Sequence, residues 1–217
     1  MHLQTANLCL LARRKMNEPL FIAEIKTQSP FGFKSPHSFV ELMECAIQHG
    51  DWVSVHTNAL WGGDYDAISF VRRNTNKPIL AKGIHASDDD VMRAIDHGAE
   101  YVLVVDRKFE GNGMYHKHII YERNNPVFAI TEAGISELDC KINRVNEYGD
   151  KLKYLVNSRD LSTGLKKEKY TRELYLYLKA GVWVCQGSGI QTPEDVHPDA
   201  DAFIVGEHLH SYCRQLL

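Results

Sequence analysis

Short apolar runs alternate with longer stretches whose apolar residues return at helical spacing, and the alternation repeats along almost the whole chain. The runs predict a strand opening at Phe21 and further strands over 52–56, 79–82, 101–105, 127–132, 152–157, 182–186 and 201–205. Helices are predicted over 3–16, 36–49, 64–74, 136–148, 167–180 and 207–217, with a loosely patterned stretch at 106–125. Ser35 before Pro36, and Ser87 before Asp88, Asp89 and Asp90, are placed to cap helices, because a hydroxyl and first-turn acids satisfy exposed amide ends. The helix after Ser87 closes at Gly98, and Thr192-Pro193-Glu194-Asp195 starts a further short one. Strand and helix alternate eight times without a linker or a composition break. That order predicts one α/β domain over 1–217, a (β/α)8 TIM barrel with 3–16 as a short N-terminal covering helix. An open doubly wound sheet is the alternative.

The first strand carries charge where a buried strand should carry none. Residues two apart share a face, so Ile22, Glu24 and Lys26 point one way and Phe21, Ala23 and Ile25 the other. Taking an ion out of water costs several kcal/mol even after relaxation, so the pair is either a structural brace or part of a functional site. Similar residues close other strands. Lys82 follows Leu80, Glu132 follows Ile130 and Asn157 follows Leu155, each two positions on, with Arg159 just beyond. The C-terminal rim of the strands is the reactive end of a barrel, so two lysines, two carboxylates and an amide are expected at one mouth. Gly187-Ser188-Gly189 and Gly206 follow the seventh and eighth strands, where amides at helix starts bind phosphate. Turns alone would also explain these glycines, and they do not form a dinucleotide fingerprint.

Composition narrows the partners. Hydrophobic residues make up 44% of the chain, enough for one sizeable core, and the formal net charge is -3. No basic excess points to nucleic acid, so a ligand anion has to be held by local groups. Five cysteines stand singly with no CxxC pair, a poor disulfide framework that fits a reducing cytoplasm. Neither a signal peptide nor a membrane span is expected. Cys185 reads as a buried small hydrophobe rather than a nucleophile. The H-x-H pairs His116/His118 and His208/His210 lack a cysteine or carboxylate at metal spacing, so they are expected in solvent and no metal is expected. Lys166, Lys167 and Lys169 read as a solvated helix start, with Tyr170, Leu174, Tyr177 and Leu178 as that helix's core face.

Taken in order, several segments resemble indole-3-glycerol phosphate synthase of tryptophan biosynthesis. They are Glu24-Ile25-Lys26 with Ser29-Pro30, Ser54-Val55-His56-Thr57, Leu60-Trp61-Gly62-Gly63, and the strand from Pro78 to Lys82. Ile130-Thr131-Glu132, Asn157-Ser158-Arg159-Asp160-Leu161, Ser188-Gly189-Ile190 and Phe203-Ile204-Val205-Gly206 complete the match. The resemblance implies a cytoplasmic carboxy-lyase that closes 1-(2-carboxyphenylamino)-1-deoxyribulose 5-phosphate to indole-3-glycerol phosphate, losing carbon dioxide and water, with no cofactor. It implies Lys82 as general acid at the ketone oxygen, Glu132 as the group exchanging a proton during dehydration, and Lys26 with Glu24 at the reacting end. Ser29, Asn157 and Arg159 are implied to position the substrate and its carboxylate, with Ser54 also binding it. Trp61 and Leu103 are implied to wall the aromatic ring, and Ser188, Gly189 and Gly206 to hold the phosphate. The implied partners are a small phosphorylated substrate and, at the protein level, another tryptophan-pathway enzyme or a second copy of the chain.

Some positions depart from the family pattern. Gly83 and Ile84 stand where an aspartate and a phenylalanine usually follow the lysine, Gly187 replaces a glutamate, and Phe31 replaces a serine. The segment before the first strand is shorter than the family's usual cover. These departures leave two other readings, a divergent member acting on another phosphorylated substrate and a catalytically silent barrel serving as a partner subunit.

Overall fold

The computed structural model describes residues 18–85, 87–105, 122–123, 125–126, 128–132, 153–159, 164–166, 170–179 and 183–216. The helices expected over 3–16 and 136–148, most of 106–125, and the pair His116/His118 lie outside them. Eight strands form the main sheet: β1 Leu20–Ile25, β2 Trp52–His56, β3 Ile79–His85, β4 Tyr101–Val105, β5 Phe128–Glu132, β6 Lys153–Asn157, β7 Trp183–Gly187 and β8 Ala202–Val205. All pair in parallel, each with its neighbours in sequence, and β1 pairs with both β2 and β8, so the sheet closes on itself. That closure rules out the open doubly wound sheet. The described helices are α1 Phe39–His49, α2 Tyr65–Asn74, α3 Asp88–Asp96, α4 Tyr170–Lys179 and α5 Leu209–Gln215.

Alternation along β1 sorts its side chains as the two-residue period requires. Phe21, Ala23 and Ile25 join the layer between strands and helices with Leu42, Ala46 and Tyr212. Ile22 enters the barrel interior with Leu80, Leu103, Leu155 and Ile204. At the opposite end to the rim, Trp52 stacks on Tyr101 with centroids 4.0 Å apart and on Trp183 at 6.2 Å. Each of these three opens its strand, so aromatic rings plug the N-terminal end and the polar residues gather at the other.

Several boundaries differ from the sequence expectation. The helix expected from Pro36 begins at Phe39, because Ser38 and Glu41 form a reciprocal capping box, whereas the Ser35 hydroxyl accepts only from the His37 amide. β3 runs past Lys82 to His85 through a register shift between Ala81 and His85. His85 holds that extension: its Nδ1 donates to the Leu103 carbonyl at 2.6 Å, leaving Nε2 to accept from the Thr57 hydroxyl at 3.0 Å. Glu207 and His208 form a turn ahead of α5 rather than its first residues. His208 and His210 are half-buried, not solvated, because α5 packs back on the loop before α1 and His210 stacks on His37 at 3.8 Å. Lys166 is exposed and pairs with Arg159 in an isolated antiparallel backbone bridge, while Lys167 and Lys169 lie outside the described residues. Leu174 and Tyr177 face the core as expected, and Cys185 is fully buried, which pushes its thiol pKa up.

Candidate active site

The centre of the rim is Glu24, 4% exposed. Its Oε1 accepts from Lys82 Nζ at 2.7 Å, and His56 Nε2 lies 2.8 Å from the same oxygen, within ion-pair distance though not in line for a hydrogen bond. The register explains the meeting. His56 and Lys82 are paired neighbours on β2 and β3, and Glu24 pairs with Ser54, two residues before His56. Burial would raise the Glu24 carboxyl, but Lys82, His56 and Lys26 outweigh it and hold it well below the usual carboxylate range. Burial in turn pushes the His56 imidazole below its ordinary value against the pull of Glu24. The rim therefore sets the Glu24 carboxylate against Lys82 and against an imidazole that burial disfavours as a cation and whose Nδ1 has no hydrogen-bond partner.

A second cluster stands beside the first. Glu207, in the turn after β8, accepts from Lys26 Nζ at 2.8 Å and takes a two-pronged contact from Arg159 at 3.0 and 2.9 Å. Burial works against ionisation of Glu207, yet Lys26 and Arg159 keep its carboxyl low. Arg159 is itself set by the Asn157 side chain, whose Oδ1 accepts from the Arg159 amide at 3.0 Å. Glu24 and Lys26 thus serve different partners, Glu24 joining Lys82 and His56 while Lys26 joins Glu207.

Two adjoining cavities open on these clusters. One is lined by Lys26, His56, Trp61, Lys82, Leu103, Asn157 and Arg159, with Phe31, Gly83 and Ile84 completing the wall. The other is lined by Glu24, Gly189, Gly206, Glu207 and His208 among others. Lys26, Lys82, Arg159 and Ser188 border both, so the acid and base groups and the glycine turns open onto a common space. Ser188 has φ 62 and Gly189 φ 73, and a left-handed serine costs on the order of 1 kcal/mol. Trp61 stacks parallel to the His56 ring at 5.9 Å.

Two expected residues are not brought to either cavity. Ser54 is fully buried in β2, and the Ser29 hydroxyl accepts from the Phe31 amide at 3.3 Å, shaping the turn that carries Phe31. Glu132 closes β5, its backbone in register with Val105 and Leu155. The residues that sequence reasoning missed are His56 and Glu207. His56 sits in a run indistinguishable from an apolar strand, and Glu207 counted as a helix residue. At two departures the surrounding packing is close. A side chain at Gly83 would meet the Thr57 hydroxyl, and one at Gly187 would press on Leu155 at 2.9 Å.

A closed parallel barrel with acids and bases gathered at its C-terminal rim is the architecture of a small-molecule barrel enzyme. Sequence comparison makes this specific: the family model for indole-3-glycerol phosphate synthase matches residues 4–213, and the chain belongs to that family, one of carboxy-lyases. It is 26% identical over 204 residues to the indole-3-glycerol phosphate synthase of Campylobacter hominis, covering 88% of this chain and 75% of that one. The figures for the enzyme of Sulfurisphaera tokodaii are 26% over 194 residues, 87% and 77%. The fold is similar to a solved 3-hexulose-6-phosphate synthase, with TM-score 0.62 and 14% identity over 91% of this chain and 97% of that one. It is also similar to an HpcH/HpaI aldolase from Desulfitobacterium hafniense DCB-2, with TM-score 0.60 and 13% identity over 95% and 90%. Among the described residues no helix is long and apolar enough to cross a membrane.

Proposed function

We propose that the chain is a (β/α)8 barrel lyase that converts 1-(2-carboxyphenylamino)-1-deoxyribulose 5-phosphate to indole-3-glycerol phosphate. The observation that carries this reading is the Lys82–Glu24–His56 cluster opening onto the same space as Ser188, Gly189 and Gly206. Attack of the carboxylate-bearing ring carbon on the ketone carbon builds charge on the ketone oxygen, and Lys82 supplies the proton that neutralises it. Loss of carbon dioxide restores the aromatic ring. The new hydroxyl then leaves as water, with Glu132 taking or returning the proton that dehydration moves. Glu24 orients the Lys82 ammonium, and Lys26 holds the reacting end.

Trp61 and Leu103 give the anthranilate ring an apolar wall, and a carboxylate among apolar walls loses carbon dioxide more readily than one in water. Arg159, positioned by Asn157, meets the substrate carboxylate, while the amides around Ser188, Gly189 and Gly206 take the phosphate. One observation favours a second reading, in which the substrate is another phosphorylated arylamino sugar: Glu207 places a carboxylate in the wall of the anion cavity. A fluorescence assay for indole formation, with wild type beside Glu132→Gln, tests the reading. Steady product from wild type and its loss in the variant support it. Binding without conversion by wild type favours the second substrate or a silent partner subunit.

A further inference from the structure

On the outside of the barrel, α1 and α5 bring together three donors from opposite ends of the chain. Cys45 and His49 are one helical turn apart on α1, so their side chains share a face. Cys213 on α5 meets them, and the two sulfurs and an imidazole nitrogen all lie within 4.8 Å of one another. Both cysteines are buried and neither is in a disulfide, while His49 is partly exposed. An open cavity borders all three. His210 lines the same cavity, with a buried Nε2 that has no hydrogen-bond partner.

We propose that Cys45, His49 and Cys213 bind a zinc ion that clamps α5 to α1. Two sulfurs and one imidazole suit a thiophilic, tetrahedral ion and do not suit magnesium or calcium, which take oxygen. Zinc at about 2.3 Å from sulfur and 2.1 Å from nitrogen spaces its ligands roughly 3.5 Å apart, so the donors draw in by about an ångström at most. Binding releases one proton from each thiol to solvent and changes no oxidation state. Two thiolates then balance the ion's charge, which removes the main penalty for holding it between two helices. The fourth position opens to the cavity, for water. Because α5 starts directly after the Glu207–His208 turn, the clamp also fixes the helix leading out of the anion cavity.

The test is zinc affinity of the reduced full chain by competition with a chromogenic chelator, with cobalt(II) as the spectroscopic probe. One zinc per chain is expected, together with a thiolate-to-cobalt charge-transfer band and a melting temperature that rises with zinc. Cys45→Ser, Cys213→Ser and His49→Gln should each weaken binding by at least about tenfold, and His97→Gln, on another face, should not. His49→Gln keeps both buried thiols, so it separates ligand loss from misfolding. Absence of the band, affinity unchanged in the three variants, or a Cys45–Cys213 disulfide in protein purified without reductant would overturn the proposal.

Discussion

Lys82 on β3 and Glu24 on β1 meet across the intervening strand, Nζ to Oε1, at 2.7 Å, in the layer above the aliphatic filling of the barrel. Neither side chain can leave alone at low cost. Removing one partner of a buried pair exposes the other to the full penalty of an uncompensated charge. Lys82→Met should therefore lose about 3 kcal/mol of stability, and adding Glu24→Gln should recover most of it. Urea unfolding of the two singles and the double measures this, and additive losses would show that the pair is not coupled.

Gly206 is required by Glu24 rather than by its own backbone. A Cβ there would land on the Glu24 carboxylate. Gly206→Ala should cost roughly 1–3 kcal/mol and displace Glu24 from Lys82. A variant as stable and as active as wild type would show that the turn has room to move.

The histidine gives the rim a pH signature. The pKa of His56 is depressed in the folded state, so its contribution to stability is complete above the unfolded value of about 6.5 and is lost as pH falls through the folded value. Glu24 and Glu207 are depressed carboxylates, so theirs is complete above about 4.3 and is lost at lower pH. His85, also depressed by burial, adds to the first interval. His56→Leu should make the fall in stability below pH 6.5 shallower and reduce the fall in acid, which Lys82 and Lys26 still sustain at Glu24. Urea midpoints across pH test this, and superimposable curves would remove His56 from the linkage.

How much of this was legible in the sequence follows the physics of each signal. The inward face of β1 could be read because the period of two is strict, and Ile22 and Glu24 lie where it puts them. Asn157 and Arg159 were found from their place after an apolar strand. The partners of the charges were not legible, because they depend on register between strands far apart in sequence. Glu24 was expected beside Lys26 and instead faces Lys82 and His56, while Lys26 finds Glu207, 181 residues away. The start of α1 could have been read from Ser38 and Glu41, three apart, had Ser35-Pro36 not offered a competing cap.

Glu207 bears on ligand choice. It occupies Lys26 and Arg159 with a carboxylate at the place where an anion is expected. Glu207→Gln should raise affinity for inorganic phosphate by about fivefold, the effect of roughly 1 kcal/mol at this partly exposed site. Titration calorimetry reads it directly, and unchanged or weaker binding would mean that the Glu207 charge does not bear on the phosphate subsite.

The most direct test is turnover of the carboxyphenylamino ribulose phosphate by wild type and by Lys82→Ala, with substrate binding measured alongside. Steady indole formation by wild type is predicted, with a fall of about 10³-fold in the variant, the usual scale of a general acid, while binding changes only a few-fold. Near-normal turnover without Lys82, or no product from wild type that binds the substrate, would contradict the assignment.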